Sequence, residues 1–231
     1  MLELPDETIK LLQTYAEQIQ RQLRPFQELA VKLAEEAQKA PKSIIKLAEI
    51  GWYLPFDFHF PTVNEIKRLI DNGEIELADQ EMIKIIDEQN EDIRNGLIEK
   101  YPHRKEAISA GMRAHKECEY YLSIPVFFAQ TEGICKELTG HRFFKMKKGD
   151  PDTRKWADTY EKDTIISMLL EPLRITGETR RIQETSRPSG LNRHDVLHGD
   201  SCDYGRDKIN SFKALSLLNY IGLTLDEIKK F

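Results

Sequence analysis

From Asp6 to Lys39 the chain is polar, but apolar residues recur at helical intervals: Ile9, Leu12, Ala16, Ile19, Leu23, Phe26, Ala30, Leu33 and Ala37. That spacing predicts one long amphipathic helix, with Pro25 as its candidate kink and Pro41 as its stop. A short helical piece to Glu49 follows, and then GWYLPFDFHFP (51–61), which has no period and reads as an aromatic connector packed under the helices. Thr62 to Asp71 is a short helix stopped by Asn72-Gly73, and Ala78 to Glu99 is another, more charged one. The next pattern runs from Arg104 to about Leu138 on a stripe of Ile108, Met112, His115, Cys118, Leu122, Val126, Ala129, Ile134 and Leu138, with Pro125 expected to kink or divide it. HRFFKMKKGDPD (141–152) is a basic loop ending in a turn. Asp163 opens a short helix through Ile166, Leu169 and Leu173, and Asn210 to Ile221 forms a last one. Strand signals are almost absent.

The expected fold is therefore all-α: a C-terminal bundle of about four core helices over residues 101–231, preceded by an additional helical region over residues 1–100. Charge sharpens that division. Residues 1–100 carry 12 Lys and Arg against 20 Asp and Glu, whereas residues 101–231 carry 22 against 19, so the acidity belongs to the front of the chain. With 40% hydrophobic residues the chain can bury a substantial core. Its longest apolar runs, Ile165 to Leu170 and Ile124 to Ala129, fall well short of the roughly 20 residues of a membrane span. The start, MLELPDE, has neither a basic nor a hydrophobic stretch, so a cytoplasmic protein with no membrane contact is expected. Cys118, Cys135 and Cys202 have no Cys-x-x-Cys spacing and read as reduced thiols.

Candidate chemistry concentrates in GLNRHDVLHGD (190–200), which Asn192 can cap at one end and Gly199 can close at the other, leaving a helix of about two turns. Two readings compete. His194 and His198, four apart, share a helix face and could ligate zinc as in His-Glu-x-x-His, but Asp195 is one methylene shorter than the usual glutamate base and no third ligand stands at a characteristic spacing. Alternatively Arg193 and His198 form a metal-free pair acting on phosphate, the imidazole titrating near neutrality and the guanidinium meeting phosphoryl charge. Spacing alone decides nothing: with 14 arginines and 6 histidines about one Arg-x(4–6)-His match arises by chance, and Arg187 with His194 is a second one here.

The surrounding sequence adds to the second reading. LNRHDVLHG, followed by SCDYGRDKINSFKALSLLNYI, resembles the HEPN family (higher eukaryotes and prokaryotes nucleotide-binding domain), whose signature is Arg-x(4–6)-His with a polar residue directly after the arginine. Arg193, His194 and His198 occupy those positions, followed by Gly199. Upstream, AHKECEYYLSIPVFFAQTEGICKEL is similar to the helix that precedes the motif, with Gln130, Glu132 and Gly133 as the recurring residues; the resemblance covers roughly residues 100–225. It implies a helical bundle that dimerises so that two Arg/His motifs meet in one cleft. Many members are metal-independent endoribonucleases, often toxins or phage-defence effectors, while others only bind nucleotides or partners.

On this reading Arg193 and His198 are catalytic, His194 and Asn192 are auxiliary polar contacts, and Glu132 orients one of the pair. RNA is the substrate, an antitoxin or other regulatory protein is a candidate partner, and neither cofactor nor metal is called for, since RNA carries its own 2′-OH nucleophile. Arg187 and Arg181, together with Arg174 and Arg180, are phosphate contacts or a solvated face balanced by Glu178 and Glu184. Lys145 and its basic neighbours pose the same choice, with Phe143 and Phe144 as base-stacking surfaces or a buried pair. Against the whole stands a plainer alternative: His198 as a helix C-terminal cap, Arg193 paired with Asp195 or Glu132, and the protein a catalytically silent nucleotide- or partner-binding module.

Overall fold

The computed structural model describes residues 35–147, 149–160, 165–175 and 191–230, together with 23, 24, 28, 31 and 32. These divide into two compact units, Met1–Lys39 and Ala40–Phe231. In the first, the described residues are helical, Leu23 and Val31 are exposed, and Arg24 pairs with Glu28 at 3.0 Å one turn on. The rest of the helix expected over 6–39, including its candidate kink at Pro25, lies outside the described residues.

The second unit is an all-α bundle. Its first helix, α1 (40–49), buries Ala40, Ser43, Ile44, Leu47 and Ala48 along one face, and Pro41 falls inside helical residues rather than ending them. The aromatic connector turns inward as expected. Trp52, Tyr53 and Leu54 are buried, and the Trp52 indole Nε1–H donates to Asp79 Oδ1 at 2.7 Å. Next comes α2 (Phe60–Asp71), closed by Asn72 and by Gly73 at φ +83. The single helix expected over 78–99 is two, α3 (Ile75–Glu88) and α4 (Asn90–Lys100), broken at Gln89.

After a 3-10 turn at Pro102–Arg104, the pattern read as one helix from 104 to 138 is an αα-hairpin of α5 (Lys105–Lys116) and α6 (Tyr120–Thr139). The break falls at Glu117–Glu119, where Cys118 takes φ +60, and not at Pro125. Pro125 has no N–H to offer the Tyr121 carbonyl one turn back, and the Tyr204 hydroxyl donates to that carbonyl at 3.1 Å instead. A minimal hairpin pairs β1 (Met146–Lys147) with β2 (Asp150–Pro151), and α7 (Arg154–Ala157), α8 (Ile165–Leu169) and α9 (Glu171–Arg174) cover the bundle.

After α10 (Arg193–His198), α11 (Lys208–Asn219) starts at an Asp207 cap and runs through the middle: every residue from Asn210 to Asn219 is buried, with α3 and α6 packed against it. It continues through a π-helical turn, Tyr220–Thr224, into α12 (Leu225–Ile228). Within the turn, the Gly222 carbonyl accepts from the Tyr101 hydroxyl at 2.9 Å, and Lys100 pairs with Asp226 and Glu227. The compact unit thus begins at Ala40 rather than at residue 101. Residues 40–100 share the core of the C-terminal helices, because α11 needs α3 and the Trp52 connector to cover it.

Candidate active site

The local sequence of α10 accounts for its short length. Asn192 sits at the N-cap with extended backbone (φ −104, ψ 119), and its Oδ1 accepts from the His194 N–H at 2.8 Å. Gly199 ends the helix in the left-handed region at φ +81, which an L side chain tolerates poorly. Leu191 and Val196 are buried and seat α10 against α6. Asn192 is therefore a capping residue, a backbone role that the sequence reading gave it beside its candidate contact with substrate.

Helical geometry then sorts the candidate residues. His194 and His198 lie on one face, with ring centroids 4.3 Å apart; His198 is exposed and His194 half-buried. Arg193 and His198, five apart, diverge by about 140° around the axis. The Arg193 guanidinium turns toward the bundle and lies over the Phe144 ring, its carbon 5.6 Å from the centroid. Its Nε is buried without a hydrogen-bond partner, and among the described residues no carboxylate pairs with it. Asp195 and Glu132, the two partners the plainer alternative offered, do not take that place. By contrast Arg104 pairs with Glu137, Arg142 with Glu132, and Arg174 with Asp158 and Glu171.

Glu132 accepts from the Phe144 backbone N–H at 3.1 Å and faces Arg142 at 3.6 Å. It contacts neither Arg193 nor His198; it fixes the ring on which Arg193 rests. Its neighbours Gln130 and Gly133 hold Arg104: Nη1 donates to Gln130 Oε1 at 2.9 Å, and a Cβ at Gly133 would meet the guanidinium at 2.6 Å. The Gln-Glu-Gly residues of α6 thus position two separate features.

Arg181 and Arg187 lie outside the described residues. Lys145 is exposed at the mouth of the β1–β2 hairpin, its carbonyl accepting from Asp152 N–H at 2.8 Å. Phe143 and Phe144 are buried edge-to-face at 5.0 Å and are not open for base stacking. Nor is Arg174 a phosphate contact: besides its two carboxylates it donates to the Ser167 carbonyl at 2.8 Å and the Ala157 carbonyl at 2.6 Å, tying α7 to α9. For the zinc reading, no third ligand completes a set with His194 and His198 among the described residues.

Two features escaped the sequence reading. Phe144 as the platform under Arg193 is a contact across about fifty residues that no local pattern encodes. A buried His115–Ser211–Ser123 chain, by contrast, shows in sequence only as one histidine on an apolar stripe. Comparison of the chain with models of known families, with curated proteins and with solved structures finds no match. Among the described residues no helix is long and apolar enough to cross a membrane.

Proposed function

We propose that the protein is a metal-independent endoribonuclease of the HEPN kind, working as a homodimer whose two α10 helices line one cleft. One observation carries the reading: Arg193 is held over Phe144 with its Nε buried and, among the described residues, no carboxylate on it, a cation open to an anion on the same short helix as two imidazoles. Buried cations are ordinarily neutralised by a partner, and an RNA phosphate supplies one here. His198 serves as general base or acid. Cleavage by the 2′-OH needs both in one step, so the second histidine comes from the second copy.

Two features support the dimer. Arg193 and His198 leave α10 in different directions, so one helix does not aim both at a single phosphate. Leu122 and Leu197, exposed at 59% and 38%, lie on the paired helices α6 and α10, where a second copy would cover them. Toxin or defence roles, and an inhibitory partner, belong to the same proposal and rest on the resemblance alone. Incubation with mixed RNA in excess EDTA tests the reaction: products with 2′,3′-cyclic phosphate ends are expected, and Arg193→Ala and His198→Ala should each remove most activity with the helical spectrum unchanged. Arg193→Lys should restore little, since an ammonium lacks the planar fork. Ends carrying 5′-phosphate, a strict need for added metal, or full activity in His198→Ala would overturn it.

A further inference from the structure

A second site lies where the α3–α4 break meets the end of the α5–α6 hairpin. A pocket of about 300 Å³ opens there, lined by Asp87, Asn90 and Glu91 from the α3–α4 region, by His115, Lys116, Cys118 and Tyr120 from the turn of the hairpin, and by Phe212 of α11. That volume is at the lower end of the range for small-molecule sites. The pocket is not lined for packing.

His115 is its built element. Only 4% of the residue is exposed, its ring stands edge-on to Phe212 at 4.6 Å, and its Nδ1 lies 2.7 Å from Ser211 Oγ, itself 2.7 Å from Ser123 Oγ. Ser123 in turn reaches the Tyr120 carbonyl at 3.5 Å. One direction of the chain satisfies every donor inside the protein: Ser123 donates to the carbonyl, Ser211 to Ser123, and Nδ1–H to Ser211. In that tautomer the proton sits on Nδ1 and Nε2 is left as a bare acceptor. Burial pushes the His115 imidazole down to about 4 against a smaller upward pull from Asp87, so it stays uncharged near neutrality.

The remaining lining points the same way. Asp87 and Glu91 are carboxylates; Glu91 has Lys116 at 3.9 Å, largely in solvent, and Arg94 at 3.8 Å, while among the described residues no lysine or arginine pairs with Asp87, the carboxylate left for a ligand. Burial, together with the neighbouring Cys118, Asp207 and Asp87, pushes the Tyr120 phenol up to about 12, so it stays neutral. Carboxylates outnumber cations in this lining, two to one, and Lys116, the one cation among them, is largely in solvent, so a ligand meets net negative charge and an aromatic ring.

We propose that this pocket binds a small flat cation bearing several N–H groups, a guanidinium or amidinium, with Asp87 and Glu91 neutralising it, His115 Nε2 accepting one N–H and Phe212 lying against its face. The site is independent of the nuclease reading and stands or falls without it. Its source is either a free small molecule or an arginine side chain of another protein, and the shared chemistry is the guanidinium.

The test is titration of the full chain, ring-labelled with ¹⁵N at histidine, with benzamidine, its uncharged analogue benzamide, and N-acetyl-arginine amide. Benzamidine should saturate and move the His115 Nε2 resonance, benzamide should do neither, and Asp87→Asn should weaken benzamidine by about fivefold. Asp87 is exposed, so this variant keeps the core intact whatever His115 substitutions do to folding. Saturation by N-acetyl-arginine amide with the same shift supports a peptide arginine as occupant; saturation by benzamidine alone supports a free compound. Equal binding of benzamide and benzamidine, unchanged affinity in Asp87→Asn, or a His115 ring that does not respond would overturn the site.

Discussion

Replacing Trp52 by phenylalanine probes whether the residues before position 100 are structural parts of the bundle that carries α10. Trp52 is fully buried, gives its indole N–H to Asp79 of α3 at 2.7 Å, and carries the Lys213 ammonium of α11 5.8 Å above its ring. Phenylalanine keeps an aromatic ring but loses the pyrrole portion and the donor. The lost apolar transfer costs about 1 kcal/mol. The void left behind costs about as much again, roughly 1 kcal/mol. Stranding the buried Asp79 oxygen adds about 1–3 kcal/mol. The sum, about 3–5 kcal/mol, is a large part of an ordinary domain's stability. Urea unfolding followed by far-UV circular dichroism should show the unfolding free energy falling by that amount, as a lower midpoint at unchanged slope. The remaining tryptophan, Trp156, sits in α7, so its fluorescence should report the same transition. A double-mutant cycle with Asp79→Ala should return a coupling of about 1–3 kcal/mol. A loss under about 1 kcal/mol, zero coupling, or a Trp156 transition separate from the helical one would refute the shared core.

Two more outcomes follow from close contacts and from charge. Gly222→Ala should lower the melting temperature, at about 1–3 kcal/mol, because its Cβ would stand 2.3 Å from Leu97 Cδ2, and Leu97→Ala in the same chain should recover part of the loss. Burial alone would raise the Asp152 carboxyl, but Lys147, the Arg142 N–H and His141 outweigh it and hold it down to about 2. Its folded pKa being depressed, Asp152 contributes stability that is present above its unfolded value near 3.8 and is lost as pH falls from there through about 2. Acid unfolding of Asp152→Asn should therefore be shallower over that window, and an identical pH dependence would show the carboxylate uncoupled from folding.

How far the chain could be read in advance depended on whether the deciding interaction was local. Asn192 and Gly199 mark the ends of α10 by their own backbone chemistry, and Asn72-Gly73 does the same for α2. The helix breaks at Gln89 and at Glu117–Glu119 carry neither glycine nor proline, so the apolar period ran straight across them; Cys118 adopts φ +60 because the chain must reverse for α5 to meet α6. Pro125 misled in the opposite sense, since the carbonyl it frees is satisfied by Tyr204, almost eighty residues on. At the site, the pairing of His194 with His198 follows from helical spacing alone. Where the Arg193 guanidinium goes depended on Phe144, and Glu132 acts on that ring rather than on the arginine, neither of which any spacing shows. The division at residue 100 follows the helical pattern and is sharpened by a change in charge, and surface charge does not report which helices share a core.

The burial of α11 on every side bears on how the protein is made. A ribosome releases α3, α5 and α6 well before residues 208–219 follow, yet those residues fill the space between them. Until that segment emerges, the inner faces of the earlier helices have only one another to cover them, and the nascent chain must wait in a half-closed state that chaperones or aggregation can capture. Translation stalled before Lys208 would leave a product with α1 to α10 encoded and nothing at their centre.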